Sequence, residues 1–127
     1  MVIAGNMAYA SGHGPLKEDG TFILGRVGLD LDLQSGKAAA RQTGLTLLST
    51  LRAALGSLDR VKRVVKVLGM VNSAEGFGDQ PRVVNGFSDL MVDVFGETIG
   101  KHARSAVGMA ALPGNACVEV EMIMAVE

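Results

Sequence analysis

The sequence has no tryptophan, one tyrosine and four phenylalanines among its 127 residues. Few rings are therefore available on which bases could stack. The formal net charge of −1, from 12 basic and 13 acidic residues, also lacks the basic excess of a nucleic-acid footprint. The one basic cluster, "RVKRVVK" from Arg60 to Lys66, contains no aromatic residue and reads as the solvated edge of an ordinary element. A single cysteine, Cys117, excludes an internal disulfide, and no Cys/His cluster has zinc-ligand spacing. Apolar runs are broken by Lys, Arg, Gly or Glu well short of the ~20 residues a membrane span needs. The opening "MVIAGNMAYASGHG" has no basic residue ahead of its apolar part and makes a poor signal peptide. The expected protein is cytoplasmic, with no metal and no membrane, and nothing in its charge pattern asks for a nucleic-acid partner.

What is present is apolar and glycine-rich. Hydrophobic residues make up 48% of the chain and charged residues 20%, a globular balance, and the length fits one domain spanning residues 1–127. No repeat or linker interrupts it. "VIAGNMAYASG" predicts a hairpin or bent strand about Gly5-Asn6, followed by a turn-rich stretch to Gly28. Apolar residues from Ala40 to Leu55 recur at helical spacing, predicting a helix over 35–56 that stops at Gly56. "VKRVVKVLGMVN" is dense in β-branched residues and predicts a strand. A second helix is expected from Asp79 or Gln80, with Pro81 in its first turn, a stripe from Val83 to Phe95, and a stop at Gly96. Two strands, "ARSAVGMAA" and "CVEVEMIMAV", complete the chain and are expected to form a hairpin through "LPGN". The order β, β, α, β, α, β, β gives an α+β plan, with helices on one face of a mixed sheet.

In the last strand, Val118, Val120, Met122, Met124 and Val126 share one face, suited to lie on the helices. Cys117, Glu119, Glu121, Ile123 and Ala125 share the other. The neighbouring strands carry too few polar residues for that second face to be half solvated, so it is expected to meet other subunits. Glu119 and Glu121 would then line an interface or a cleft within it.

The stretch "ARSAVGMAALPGNACVEVE" resembles the C-terminal signature of the Rid/YjgF family, the reactive intermediate deaminases once labelled endoribonuclease L-PSP. Upstream, "GNMAYASGHGP" resembles the family's Ser-Gly-Gln-x-Pro turn, with His13 in the Gln place. "DRVKRVVKVLGMVNSAEGFGDQPRVVNGFSDLMVDVFGE" resembles its central strand and second helix. "GRVGLDLDLQSG" points to a divergent branch. The resemblance implies a chorismate-mutase-like fold, assembled as a homotrimer with a central β-barrel and clefts between subunits. It also implies hydrolysis of 2-imino acids or their enamine tautomers to 2-keto acids and ammonia, without a cofactor.

Carried over by position, Arg104 would clamp the substrate carboxylate and Glu119 would orient the attacking water. Ser11, Gly12 and Ala106 would contribute to binding, the last two through backbone N–H groups. Ala106 stands where the family often has cysteine, and His102 where proline is common. The family's N-terminal segment, with its pocket tyrosine, would fall before Met1. Glu121 has no role to transfer. Cys117 reads as buried filler, and His13 and His102 as structural or solvent-facing. Ser11 and Ser105, with no base beside them in sequence, are poor nucleophiles. Two further classes stand beside the deaminase: a small-carboxylate binder without turnover, and an endoribonuclease. If "LPGN" closes a hairpin, Arg104 and Glu119 lie about 13–17 Å apart in one chain. Either a bulge brings them together or the working pair comes from two subunits.

Overall fold

The computed structural model describes residues 1–127 as one five-stranded mixed sheet with two helices on one face. In chain order the elements are β1 (Val2–Ala4), β2 (Met7–His13), α1 (Leu33–Leu55), β3 (Val61–Asn72), α2 (Gln80–Gly100), β4 (Ala103–Met109) and β5 (Val118–Val126). Neither helix is long and apolar enough to cross a membrane.

Local chemistry sets most boundaries. The β1–β2 turn is made possible by Gly5, at φ 59. Helix α1 starts two residues before its predicted start, because the Asp32 carboxylate caps it by accepting the Ser35 N–H at 2.8 Å. It ends as expected at left-handed Gly56, whose N–H donates to the Arg52 carbonyl. Helix α2 runs past its expected stop: Gly96 leaves helical geometry (φ 81, ψ 167), but one further turn reaches Gly100. Val94, expected in the buried stripe, is 43% exposed near that break.

The helices bury Ala40, Leu47, Leu51, Val83, Val84, Phe87 and Met91 against Val64, Val67, Val71 and the even-numbered residues of β5. Two glycines allow the close helix crossing. A methyl at Gly86 would stand 3.2 Å from the Arg41 backbone nitrogen, and one at Gly44 would stand 2.7 Å from a Leu90 methyl. Cys117 is fully buried just before β5, and desolvation pushes its thiol up to about 11, which keeps it inert at neutral pH.

The expected hairpin between the last two strands does not form. The strand order is β1-β2-β5-β3-β4, so β3 lies between β4 and β5. Strand β4 pairs with β3 in parallel, Arg104 opposite Val67, while β5 pairs with β3 antiparallel, Glu119 opposite Met70. The reason is the crossover. Helix α2 returns the chain to a parallel strand at the outer side of β3, which still has a second edge to fill. The "LPGN" segment is a short 3-10 turn, with Gly114 and Asn115 both at φ 63, on the path that carries the chain across the end of β3.

The helix-free face of the sheet carries Tyr9, Leu68, Met70, Val107 and Ile123 beside Glu119 and Glu121, following the two-residue alternation. Tyr9 is 42% and Val107 38% exposed. A concavity of about 620 Å³ lies on this face, where Lys66 Nζ donates to Ser105 Oγ at 3.1 Å and Glu121 stands nearby.

Candidate functional site

Arg104 sits on the outermost strand, opposite a residue that is wholly buried under the helices, so its side chain shares the helix face and turns toward α2. Its Nη1 donates to Asn85 Oδ1 at 2.8 Å and to Ser88 Oγ at 3.2 Å. Asn85 and Ser88 are three residues apart on α2 and so project side by side. Both acceptors are neutral. Arg104 takes part in none of the chain's three ion pairs, and neither Nε nor Nη2 has a hydrogen-bond partner. An arginine held at one nitrogen, with its other fork edge open, is arranged to receive a carboxylate by two parallel bonds.

His102 extends this arrangement. Its Nδ1 lies 2.6 Å from the Gly100 carbonyl, which can only accept, so Nδ1 carries the hydrogen. In the neutral ring Nε2 is then an acceptor, and the Ser88 hydroxyl donates to it at 3.0 Å. Burial depresses the His102 pKa and the nearby Arg104 charge adds to that, while the Gly100 bond opposes both. Ser88, Asp89, Val92, Lys101, His102 and Arg104 line a shallow cleft of about 190 Å³. Ala106, two residues past Arg104 on the same face, packs against the core.

The remaining predicted residues lie elsewhere. Strand β2 pairs Ala10 with Met122 and His13 with Val120, three steps against two, so one extra residue is accommodated as a bulge at Ser11–Gly12. His13 closes the bulge: Nδ1 donates to the Ser11 carbonyl at 2.6 Å, and Nε2 meets Thr50 Oγ1 of α1 at 2.9 Å. The Glu119 side chain lies directly against Gly12, where an added methyl would stand 2.8 Å from Cδ. Ser11, Gly12 and Glu119 are thus gathered at the bulge, with Glu119 on the open face.

The candidate residues therefore fall into two separate groups, or candidate half-sites. Arg104 and Glu119 are separated by two strand spacings across β3 and three residues along it, roughly 14 Å between Cα atoms. Their side chains also leave opposite faces of the sheet, so no bulge within the chain can make them converge. Sequence reading missed Asn85 and Ser88. Their available signal was a pair of hydrogen-bonding side chains at i, i+3 beside the α2 apolar stripe.

Residues 1–126 match the family described as "YjgF/chorismate_mutase-like, putative endoribonuclease". The chain belongs to this family. Within the YjgF family, the chain is 47% identical over 123 residues to Protein TCP17 of Trypanosoma cruzi, covering 97% of the chain and 77% of that relative. The crystal structure of protein Atu1372 from Agrobacterium tumefaciens superposes with a TM-score of 0.95 at 42% identity, over 98% of this chain and 80% of that one. E. coli TdcF, solved with bound serine, shares the YjgF fold at a TM-score of 0.64 and 23% identity, over 99% of this chain and 84% of its own.

Proposed function

We propose that this YjgF-family chain hydrolyses small 2-imino acids, or their enamine tautomers, to 2-keto acids and ammonia in clefts between the subunits of a homotrimer. The observation that carries the reading is the Arg104 guanidinium, fixed at Nη1 by neutral acceptors and open at Nε and Nη2. Such a group selects a planar carboxylate. Glu119 of a neighbouring subunit, lying against the Gly12 backbone, would complete the cleft. There its carboxylate accepts a proton from water as the oxygen attacks the imine carbon. The carbon–nitrogen bond then breaks, and ammonia leaves after taking up protons, so that one water is consumed for each keto acid formed. Serine in the TdcF crystal is a ligand of comparable size that also bears a carboxylate.

Two observations support a shared site. The half-sites leave opposite faces of one sheet, and the open face presents exposed Val107 and a 620 Å³ concavity lined by exposed Tyr9. The family description also names an endoribonuclease. The −1 net charge and scarce aromatics give that activity little electrostatic or stacking support. Coupled assay of 2-iminobutyrate, read against its spontaneous hydrolysis, tests the proposal. Acceleration lost in Arg104→Lys supports it. A rate equal to the spontaneous one in a protein that still binds 2-ketobutyrate leaves a carboxylate-binding protein without turnover.

A further inference from the structure

The imidazole of His102 reaches Arg104 through a single hydroxyl. Ser88 Oγ lies 3.0 Å from Nε2 and 3.2 Å from Arg104 Nη1, so the imidazole and guanidinium nitrogens stand no farther apart than about 6 Å. With Nδ1 committed to the Gly100 carbonyl, the charge on this ring decides what Ser88 does. In the neutral ring, Ser88 spends its one proton on Nε2 and turns a lone pair to Arg104. When Nε2 gains a proton it becomes the donor. Ser88 Oγ then accepts from both cations, and its own hydrogen is released to point elsewhere.

We propose that His102 is a proton-linked positioning residue for anion capture at Arg104, taking up a proton as a carboxylate binds and tightening that binding below neutral pH. The inference rests on Arg104 being the carboxylate clamp. The charged state offers the anion a second positive centre and a freed hydroxyl donor. Without an anion on Arg104, burial and the Arg104 charge both disfavour the charged ring, which holds its pKa below the usual value. An anion on Arg104 removes the second of these penalties. By linkage, the ligand must raise the His102 pKa by the same factor that protonation raises ligand affinity. Affinity is therefore highest below the free-site pKa, declines as pH rises through it, and levels off above the bound-state pKa. Arg104 from β4, with Asp89 from α2 and Lys101 beside the ring, are the charged groups sharing its cleft, and Lys101 is drawn to Glu97 at 3.6 Å. The other histidine, His13, is bonded to Ser11 and Thr50 in the opposite half-site.

Calorimetry on the full chain with benzoate, a monoanion from pH 5.5 to 8.5, tests this in paired buffers of different ionisation enthalpy. The expected result is about tenfold tighter binding at the acid end, equivalent to a one-unit pKa shift, with proton uptake on binding. His102→Gln should bind benzoate with flat pH dependence, and Asp89→Asn should retain the dependence. Benzoate binding that is independent of pH in the parent, or fully pH-dependent in His102→Gln, overturns the role of His102 and leaves the Arg104 clamp intact. No benzoate binding at any pH overturns the clamp and the inference together. Should His102→Gln fail to fold, proton NMR of the parent decides. The His102 ring resonance should titrate about one unit higher with benzoate than without, and an unmoved titration overturns the inference.

Discussion

The two candidate half-sites are built by different means. At the β4 edge, side chains do the holding: Asn85, Ser88 and His102 fix one corner of Arg104 and leave the rest free. At the β2 bulge, the main chain sets the geometry. Gly12 brings its backbone against Glu119, and His13 ties the bulge to α1. A side-chain cradle can be weakened by degrees, because each bond contributes separately. A main-chain cradle depends on the absence of a Cβ, and any side chain there displaces the carboxylate. The first arrangement suits graded affinity, and the second ties the Glu119 position to the size of one residue.

The largest expected effect lies at the bulge. Glu119→Gln should lower imine hydrolysis at least ~100-fold while carboxylate affinity stays near that of the parent, the loss expected for a general base. Unchanged turnover would make Glu119 an interface residue. Unfolding and refolding Arg104→Ala together with Glu119→Gln sharpens the comparison. If each cleft draws the pair from two chains, the mixture should recover about a quarter of the parental activity, the share of randomly assembled clefts with both residues intact. No recovery would remove the shared site, and sedimentation as a stable monomer at micromolar concentration would do so too.

Gly12→Ala should fold and bind carboxylate, yet lose between about 10- and 100-fold in turnover, because its methyl must push Glu119 aside. Parental turnover would mean that the Glu119 position is tolerant. Effects at the β4 edge should be smaller and fall on affinity. Arg104→Lys should weaken 2-ketobutyrate binding by at least ~1.5 kcal/mol and Asn85→Ala by about 1 kcal/mol, both read by calorimetry with thermal unfolding little changed. An unaltered Kd in Arg104→Lys would leave the guanidinium without a ligand role. The smallest effect concerns the fold itself. His102 has a depressed pKa in the folded chain, so the unfolded chain binds more protons between that value and 6.5. Its contribution to stability is present above pH 6.5 and declines as pH falls below it. Urea midpoints for parent and His102→Gln should converge toward acid pH, and parallel curves would contradict this.

The element order and the helix-bearing face were legible because they rest on local chemistry. Val83, Val84, Phe87, Leu90 and Met91 announce a buried stripe, and Val118 to Val126 announce alternation. Strand order was not legible. Adjacent strands joined by Leu-Pro-Gly-Asn look like a hairpin, and nothing nearby says that β3 will lie between them. That error placed Arg104 beside the last strand instead of opposite Val67 on β3, and it hid the fact that Arg104 and Glu119 leave opposite faces. The C-terminal signature singled out Arg104 and Glu119 as candidates. Their supports, Asn85, Ser88 and His102, stayed hidden because a hydrogen bond between a helix and a strand leaves no period in the sequence.

The position of β5 in the sheet bears on how the chain folds. Strand β5, fifth in chain order, lies between the β1–β2 hairpin and the β3–β4 pair, and no other strand contacts both. Until residues 118–126 emerge from the ribosome, the nascent chain holds two sheet fragments with exposed ladder edges and nothing to join them. Completion therefore waits for β5 and is dominated by contacts far apart in sequence, which slows it. A nonsense codon or a C-terminal protease acting before Val118 would remove the strand that joins the two halves of the sheet.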